Sequence, residues 1–257
     1  MDNPGANTQN LCIQLNGATE LIPIIGSPIA QVRSPAGMTQ EMQAHGRNAV
    51  IVPCHVQPED VDDFMTLAGK MINVSGVIAT VPHKVRASEV CGRLTARAAM
   101  LGAANVIRRD ADGSWYGDMC DGDAMVNPIL ASGCKLDGRT ALLVGAGGAG
   151  IAIAHSLLLA GVAQLRICEL DDKRFEILTQ RLGDWAARIQ RAETGDPDGC
   201  DLVVNASPCG MREGDPLPVD ISRLESRMYV ADVITRPEVT PLLQAAAELG
   251  CRTQGAR

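Results

Sequence analysis

The chain has 257 residues, enough for two modest domains that each bury a hydrophobic core. Its formal net charge is −7, and only 2% of its residues are aromatic. The acidic balance argues against a nucleic-acid or anionic-membrane surface, and the few aromatic side chains offer no stacking platform for single strands. No apolar run approaches the ~20 residues of a membrane span, and the first residues do not resemble a signal peptide. We therefore expect a cytoplasmic protein without a membrane or nucleic-acid partner.

The nine cysteines and four histidines are scattered along the chain. The cysteines are odd in number and form no C-x-x-C pair, whereas a disulfide framework or a zinc site would show regular spacing. We therefore predict reduced, mostly buried thiols and no metal site.

Short apolar strands alternate with helical segments along the whole chain. In the first half, the predicted strands are 21–25, 49–53, 74–81, 104–107 and 115–117, and the predicted helices are 34–45, 58–72 and 87–101. In the second half, the predicted strands are 141–144, 163–169, 202–205 and 228–233, and the predicted helices are 121–131, one ending at 159, 171–185 and 240–249. This alternation implies parallel sheets with helices on their faces, so we predict an α/β fold with two domains.

A glycine-rich turn joins the strand at 141–144 to the next helix. Gly145, Gly147 and Gly150 satisfy G-x-G-x-x-G between a strand and a helix, the context in which this pattern is informative. The first glycine permits the turn, the second lets the backbone approach a pyrophosphate, and the third lets the helix pack against the strand. The alternative is a turn that binds no ligand. The predicted dinucleotide-binding loop comprises Gly145, Ala146, Gly147, Gly148, Ala149 and Gly150.

The strand after this helix ends on an acidic residue that favours NAD. Glu169 lies 24 positions after Gly145, near the ~20 at which an acid takes the ribose hydroxyls of NAD. No arginine follows directly to receive the 2′-phosphate of NADP, because two carboxylates precede Lys173. We therefore predict NAD as the cofactor, with NADP as the alternative. Asp171 could take the role of Glu169, which could also be an ordinary strand-end carboxylate.

Several short motifs, in a fixed order from 22 to 250, resemble those of shikimate and quinate dehydrogenases. They are Gly26-Ser27-Pro28-Ile29-Ala30, Ser34-Pro35, Thr80-Val81-Pro82-His83-Lys84, Gly102-Ala103-Ala104-Asn105, Asp121-Gly122, the Gly145 to Gly150 loop, Asn205-Ala206-Ser207 with Gly210-Met211, and Asp232, Pro237 and Thr240-Pro241-Leu242-Leu243. No single motif is decisive, but the ordered set is specific.

The resemblance implies an N-terminal substrate domain, a Rossmann-type doubly wound NAD(P) domain and a cleft between them. We assign 1–122 to the first domain, 123–245 to the second, and 246–257 to a segment returning towards the first. The implied reaction interconverts shikimate and 3-dehydroshikimate, or a closely related cyclic hydroxy acid, in a monomer or homodimer. Quinate or aminoshikimate is the alternative substrate, and a non-catalytic NAD-binding sensor is the alternative class of function.

The matching residues imply that Lys84 and Asp121 form the catalytic pair. Oxidising a secondary alcohol removes a hydride from carbon and a proton from oxygen, so an acid/base group must stand beside the nicotinamide. A lysine loses its proton near pH ~10.4, so alcohol oxidation is expected to be faster at alkaline pH. Taken alone, Lys84 could be a solvated lysine and Asp121 a helix N-cap. The presence of both argues against the sensor.

The resemblance also implies contacts with substrate and cofactor. Substrate contacts fall on Ser34, Thr80 and Asn105, although Ser34 could instead cap the helix that begins at Pro35. The nicotinamide side falls on Asn205, Ser207 and Met211, and Val233 is a further cofactor contact.

The chain departs from the family pattern at several positions where the family has polar groups. These positions hold Val32, Ile78, Met119, Cys120 and Thr235. Each change removes or shrinks a hydrogen-bonding group, and a site built for a polyhydroxylated ring loses discrimination without such partners. The identity of the favoured acid therefore stays open.

Overall fold

The computed structural model describes residues 15–256, which divide into two compact units. The first unit holds the described residues up to Leu94 together with Val106–Gly117. The second holds Thr95–Asn105 and the described residues from Asp118 onwards. This division places 95–105 and 118–122 in the second unit, whereas the predicted limit between the domains lies after 122. A hydrogen bond of 2.9 Å from Asn105 N to Asp118 O ties 95–105 to the second unit.

The first unit is built on a six-stranded mixed sheet. Its strands are β1 (Glu20–Gly26), β2 (Ala49–His55), β3 (Gly76–Ala79), β4 (Arg93–Leu94), β5 (Val106–Arg109) and β6 (Trp115–Asp118), and its helices are α1 (Ser34–Ala44), α2 (Val61–Lys70) and α3 (Lys84–Glu89). The last residue of β6, Asp118, belongs to the second unit. The strand order is β2-β1-β3-β5-β6-β4. β1 runs parallel to β2 and β3, whereas β5 runs antiparallel to β3, so this sheet is mixed and not parallel throughout.

The second unit is built on a six-stranded parallel sheet. Its strands are β7 (Thr140–Val144), β8 (Gln164–Cys168), β9 (Ile189–Ala192), β10 (Leu202–Asn205), β11 (Tyr229–Asp232) and β12 (Arg252–Gly255), and its helices are α4 (Ala96–Leu101), α5 (Asp121–Ala131), α6 (Gly148–Leu159), α7 (Asp172–Arg181) and α8 (Pro241–Glu248). Its five strand pairings are all parallel, and the order is β9-β8-β7-β10-β11-β12. This is the 3-2-1-4-5-6 order of doubly wound dinucleotide-binding sheets.

Two local predictions need correction. The single helix expected at 87–101 is divided into α3, β4 and α4. The division has a local cause, because the Thr95 side chain accepts a hydrogen bond from Ala98 N and starts a new helix.

The segment 246–257 was expected to return towards the first domain. Its residues Arg252–Gly255 instead pair with β11 and complete the second sheet.

The eight cysteines within residues 15–256 are all free thiols, three of them buried and five half-buried. Burial raises the pKa of the Cys91 thiol to about 11, so this thiol stays protonated at neutral pH. Over the same residues, no group of three or more His, Cys, Asp or Glu side chains could hold a metal ion. No helix in this described part of the chain is long and apolar enough to cross a membrane.

Candidate active site

The glycine-rich loop has the geometry that its sequence predicts. Gly145 has φ +98°, and a Cβ on it would lie 2.9 Å from Ser207 N. A Cβ on Gly150 would lie 2.2 Å from Gly145 O, so only glycine lets α6 begin this close to β7. A Cβ added to Gly147 would have no other atom within 4 Å, so this face of the loop is open. The first N–H groups of a helix lack partners within the helix, so this end of α6 can receive a phosphate group.

The two acidic candidates for the ribose hydroxyls have different tasks. Glu169 accepts hydrogen bonds from Ala146 N at 2.7 Å and from Asp171 N at 2.9 Å, which places its carboxylate against the glycine-rich loop. Asp171 is the N-cap of α7, and its side chain accepts from Lys173 N and Arg174 N at 2.9 and 3.3 Å. Glu169 is therefore the acid that reaches the loop, while Asp171 is engaged in capping the helix.

The residues expected on the nicotinamide side come together at the end of β10. Asn205 is fully buried, and its Oδ1 accepts from Ser207 N at 3.0 Å and from Ser207 Oγ at 2.6 Å. Its backbone oxygen accepts from Val233 N at 3.0 Å. Met211 closes the turn through a 3.1 Å bond to Pro208 O, and its side chain is 41% exposed. Asn205 thus organises the turn from inside, whereas Ser207 and Met211 retain exposed surface.

Asp121 is the first residue of α5 and is held by Asn105. Asn105 Nδ2 donates to Asp121 Oδ1 at 2.6 Å, and Asn105 Oδ1 accepts from Cys120 N at 2.8 Å. The N-cap of α5 is Cys120, so Asp121 does not serve as the cap. Asn105, expected to contact substrate, therefore also orients the proposed catalytic carboxylate.

An arginine that sequence reasoning missed binds two carboxylates close to Asp121 in the sequence, those of Asp118 and Asp123. Arg97 donates to both carboxylate oxygens of Asp118, at 3.2 and 2.7 Å, and forms an ion pair with Asp123. Burial alone would raise the pKa of Asp118. Hydrogen bonds from Arg97, Thr95 and the backbone outweigh burial, so the pKa lies below its usual value. A signal was present in the sequence, because Asp118, Asp121 and Asp123 lie within six residues and such a cluster favours a counter-charge.

The first unit carries its predicted residues at the carboxyl ends of β1 and β3. Thr80 directly follows β3 and donates from its backbone N to Ile25 O at 2.9 Å. Lys84 begins α3 and is half-buried, beside His83, whose ring nitrogen lies 2.8 Å from Val56 O in a buried position. In open α/β sheets, ligands bind outside the carboxyl ends of the strands, where these residues lie.

Ser34 lies at the start of α1, and the helix-cap alternative for it is wrong. It is the first residue inside α1 and is exposed, while Arg33 occupies the N-cap position without a side-chain cap bond.

Two of the departures from the family pattern have a clear packing role. Val32 and Ile78 are partly buried and pack against the core cluster of Ile22, Ile24, Ala49 and Ile51. Apolar side chains at these positions therefore extend the hydrophobic core towards the carboxyl edge of the sheet. Met119 is also buried, with 1% of its surface exposed.

Comparisons with known proteins agree with this geometry. The family model described as the shikimate dehydrogenase substrate binding domain matches residues 24–107. A shikimate dehydrogenase (NADP(+)) of Rubrobacter xylanophilus is 35% identical over 244 residues, covering 92% of this chain and 85% of that protein. The corresponding protein of Ruegeria sp. is 32% identical over 234 residues, covering 90% and 84%.

Two solved structures of shikimate and quinate dehydrogenases are also similar to this chain. Shikimate 5-dehydrogenase from Listeria monocytogenes, in complex with shikimate and NAD, is 26% identical with a TM-score of 0.82, covering 95% of this chain and 88% of that chain. Quinate dehydrogenase from Corynebacterium glutamicum, in complex with NAD, is 28% identical with a TM-score of 0.77, covering 91% and 87%.

The doubly wound sheet and its glycine-rich loop define the class of protein as an NAD(P)-dependent oxidoreductase. The ordered motifs and the 35% identical relative then identify the family. The chain belongs to the shikimate dehydrogenase family, as its sequence motifs predicted.

Proposed function

We propose that this protein is an NAD-dependent dehydrogenase that interconverts shikimate and 3-dehydroshikimate, or a closely related cyclic hydroxy acid. The observation that carries the proposal is the glycine-rich loop of a 3-2-1-4-5-6 sheet in a chain that also retains Lys84 and Asp121. The curated relatives are named shikimate dehydrogenases, which supports this substrate class.

The preference for NAD rests on Glu169. Its carboxylate lies against the loop that would hold the pyrophosphate, where an acid can accept hydrogen bonds from the ribose hydroxyls. A negative charge at this position repels the 2′-phosphate of NADP. The relatives named above carry NADP(+) in their names, whereas the Listeria and Corynebacterium structures contain NAD, so both nucleotides occur among similar proteins.

Lys84 and Asp121 are proposed to handle the proton. In the oxidation direction the nicotinamide accepts a hydride from the ring carbon, and the hydroxyl proton must pass to a base. The neutral Lys84 amine would take that proton, and the Asp121 carboxylate is proposed to take part in handling it. Asn105 supports this role because its amide holds Asp121 in one position at 2.6 Å.

Ser34, Thr80 and Asn105 are proposed to contact the acid substrate. Val32 and Ile78 offer no hydrogen bonds, so recognition of the ring relies on fewer polar groups than the family pattern would supply. Quinate is the second candidate substrate, favoured by the similarity to the quinate dehydrogenase structure. The domain limits, a cytoplasmic location and a monomeric or homodimeric state stay predictions.

The catalytic pair can be tested by substitution. Lys84→Ala and Asp121→Asn should each lower kcat by a factor of about 100 or more while leaving the NADH dissociation constant within about twofold of wild type. Lys70→Ala, which changes an exposed lysine of the first unit, is the matched control and should keep full activity.

The same experiment separates the enzyme from the sensor. A sensor would bind NADH in all four proteins but would oxidise none of the acids tested. Turnover by wild type that survives Lys84→Ala unchanged would remove Lys84 from the mechanism.

A further inference from the structure

Three buried polar side chains form one hydrogen-bonded group next to the turn at 206–211. They are Asn205 at the end of β10, Asp232 at the end of β11 and Thr240 at the N-cap of α8, each with no exposed surface. Asn205 and Asp232 lie directly opposite each other in the parallel pairing of β10 and β11. The proton-handling steps proposed above assign no task to Asp232 or Thr240.

Asp232 acts only as an acceptor in this group. Its Oδ1 accepts from Asn205 Nδ2 at 3.1 Å and from Ile234 N at 3.0 Å, and its Oδ2 accepts from Thr240 Oγ1 at 2.8 Å. Burial raises the pKa of Asp232, while these three donors favour the ionised carboxylate. A buried carboxylate with three donors has a well-defined position, because moving it would leave several polar groups unpaired.

This arrangement determines which way the Asn205 amide points. Its NH₂ end donates to Asp232 and also to Cys209 O at 3.1 Å, while its oxygen accepts from Ser207 N and Ser207 Oγ. A flipped amide would set its NH₂ against the Ser207 N–H and its oxygen against the Asp232 carboxylate. Asp232 therefore selects the amide orientation that forms the turn.

The turn in question touches the dinucleotide-binding loop. A Cβ on Gly145 would lie 2.9 Å from Ser207 N and 3.0 Å from Ala206 C, so the two backbones are in close contact. Ser207 and Met211, the proposed nicotinamide contacts, both lie on this turn. A change in the Asn205 amide is therefore transmitted to the part of the site that would hold the reacting half of the cofactor.

We infer that Asp232 is a positioning residue for the nicotinamide half of the cofactor, acting through Asn205 on the turn at 206–211. The inference rests on the proposed function, because the nicotinamide contacts are themselves part of that proposal. Asp232 touches neither Glu169 nor the open face at Gly147 through any described hydrogen bond. Its influence should accordingly be confined to the nicotinamide half.

Asp232→Asn tests this inference because it keeps the shape of the side chain and removes its charge. An NH₂ group in place of one oxygen leaves fewer acceptors for the three donors, so the Asn205 amide is no longer held in one orientation. ADP-ribose, which lacks the nicotinamide, should bind within about twofold of wild type, while kcat for the acid that wild type oxidises fastest should fall about tenfold or more. The fluorescence of bound NADH should change as well, because it reports the surroundings of the nicotinamide ring.

Asp220→Asn is the matched control. Asp220 is an exposed aspartate of the same unit whose side chain accepts from Ser222 N, so this variant loses one negative charge outside the buried group. It should retain wild-type kcat and NADH fluorescence.

A second pair of variants keeps the inference testable if Asp232→Asn does not fold. Thr240→Val removes the donor to Asp232, whereas Thr240→Ser keeps a hydroxyl at the same place. The valine variant should lose kcat and the serine variant should keep it, with ADP-ribose binding equal in both.

The inference is overturned if Asp232→Asn folds and keeps both wild-type kcat and wild-type NADH fluorescence. It is also overturned if ADP-ribose affinity falls in parallel with kcat, since that pattern marks a general loss of domain structure. Equal kcat values in Thr240→Val and Thr240→Ser would also overturn the inference. A wild-type protein that binds neither NADH nor ADP-ribose would contradict the proposed function itself, together with the inference.

Discussion

Single residues in this chain take their roles from a few short contacts. The sequence favours Glu169 as the ribose acceptor and leaves Asp171 as the alternative. In the structure Glu169 contacts Ala146 N, whereas Asp171 caps a helix. Asn105 was predicted as a substrate contact, and its 2.6 Å bond to Asp121 adds an orienting role that sequence spacing could not show. Contacts of this kind depend on tertiary folding, so they are not readable from local pattern.

The cofactor preference should depend on the charge of Glu169. Glu169→Ser removes the carboxylate that would repel the 2′-phosphate, so the ratio of kcat/KM for NADP⁺ to that for NAD⁺ should rise about tenfold or more. Glu176→Ser, an exposed position on α7, is the control and should leave the ratio unchanged. The ratio is measured by steady-state kinetics with each nucleotide, and an unchanged ratio in Glu169→Ser would remove Glu169 from cofactor selection.

The contribution of Asp118 to stability should depend on pH. Its pKa is lowered in the folded protein, so its ionised form stabilises the fold above the unfolded value of about 3.9, and this contribution is lost as pH falls through the lower folded value. Asp118→Asn should therefore reduce the free energy of unfolding at neutral pH and differ less from wild type near pH ~3. Urea unfolding at both pH values measures this difference. A difference that grows on acidification would contradict the role assigned to Arg97 and Asp118.

At the scale of elements, the sequence predicted helices and strands correctly where their signals lie within the segment itself. The strand, turn and helix from β7 to α6 follow directly from the apolar run and the glycines at 145, 147 and 150. The predicted helix at 87–101 was wrong because β4 pairs with β6, a partner more than twenty residues away, and because Thr95 caps a separate helix. The pairing of β4 with β6 overrides the helical propensity of this segment, and no local pattern within 87–101 indicates that pairing.

The packing of α5 on α6 gives a test at this scale. A Cβ on Gly122 would lie 2.2 Å from Ala152 O and 2.4 Å from Ser156 Oγ, so Gly122→Ala forces the two helices apart. The free energy of unfolding should fall by about 2 kcal/mol, the usual cost of overpacking a filled contact.

Gly37→Ala is the matched control for this substitution. Gly37 lies inside α1 with nothing within 4 Å of an added Cβ, so alanine there should raise stability by about 0.5–1 kcal/mol through helix propensity. Denaturant unfolding of both variants checks the pair. A Gly122→Ala protein as stable as wild type would contradict the close approach of α5 and α6.

At the scale of the whole molecule, each of the two units is built on its own six-stranded sheet. The class of fold was predictable from the alternation of strands and helices, and the family from the ordered motifs. The order of strands was not, because the sequence does not show that β10 lies beside β7 and β9 at an edge. The missed group of Arg97, Asp118 and Asp123 has the same cause, since its members come from separate elements that meet only in the folded second unit.

The central claim is that the wild-type chain is an NAD-dependent dehydrogenase of a cyclic hydroxy acid. The most direct measurement is the appearance of reduced nucleotide by absorbance with shikimate or quinate, using NAD⁺ or NADP⁺, at a pH of about 9 where more lysine is neutral. We expect turnover with at least one acid, faster with NAD⁺ than with NADP⁺, and a rate that rises between about pH 7 and 10. Bound NADH without turnover of either acid would contradict the claim and would favour a nucleotide-binding protein whose pocket, around Val32 and Ile78, no longer accepts these acids.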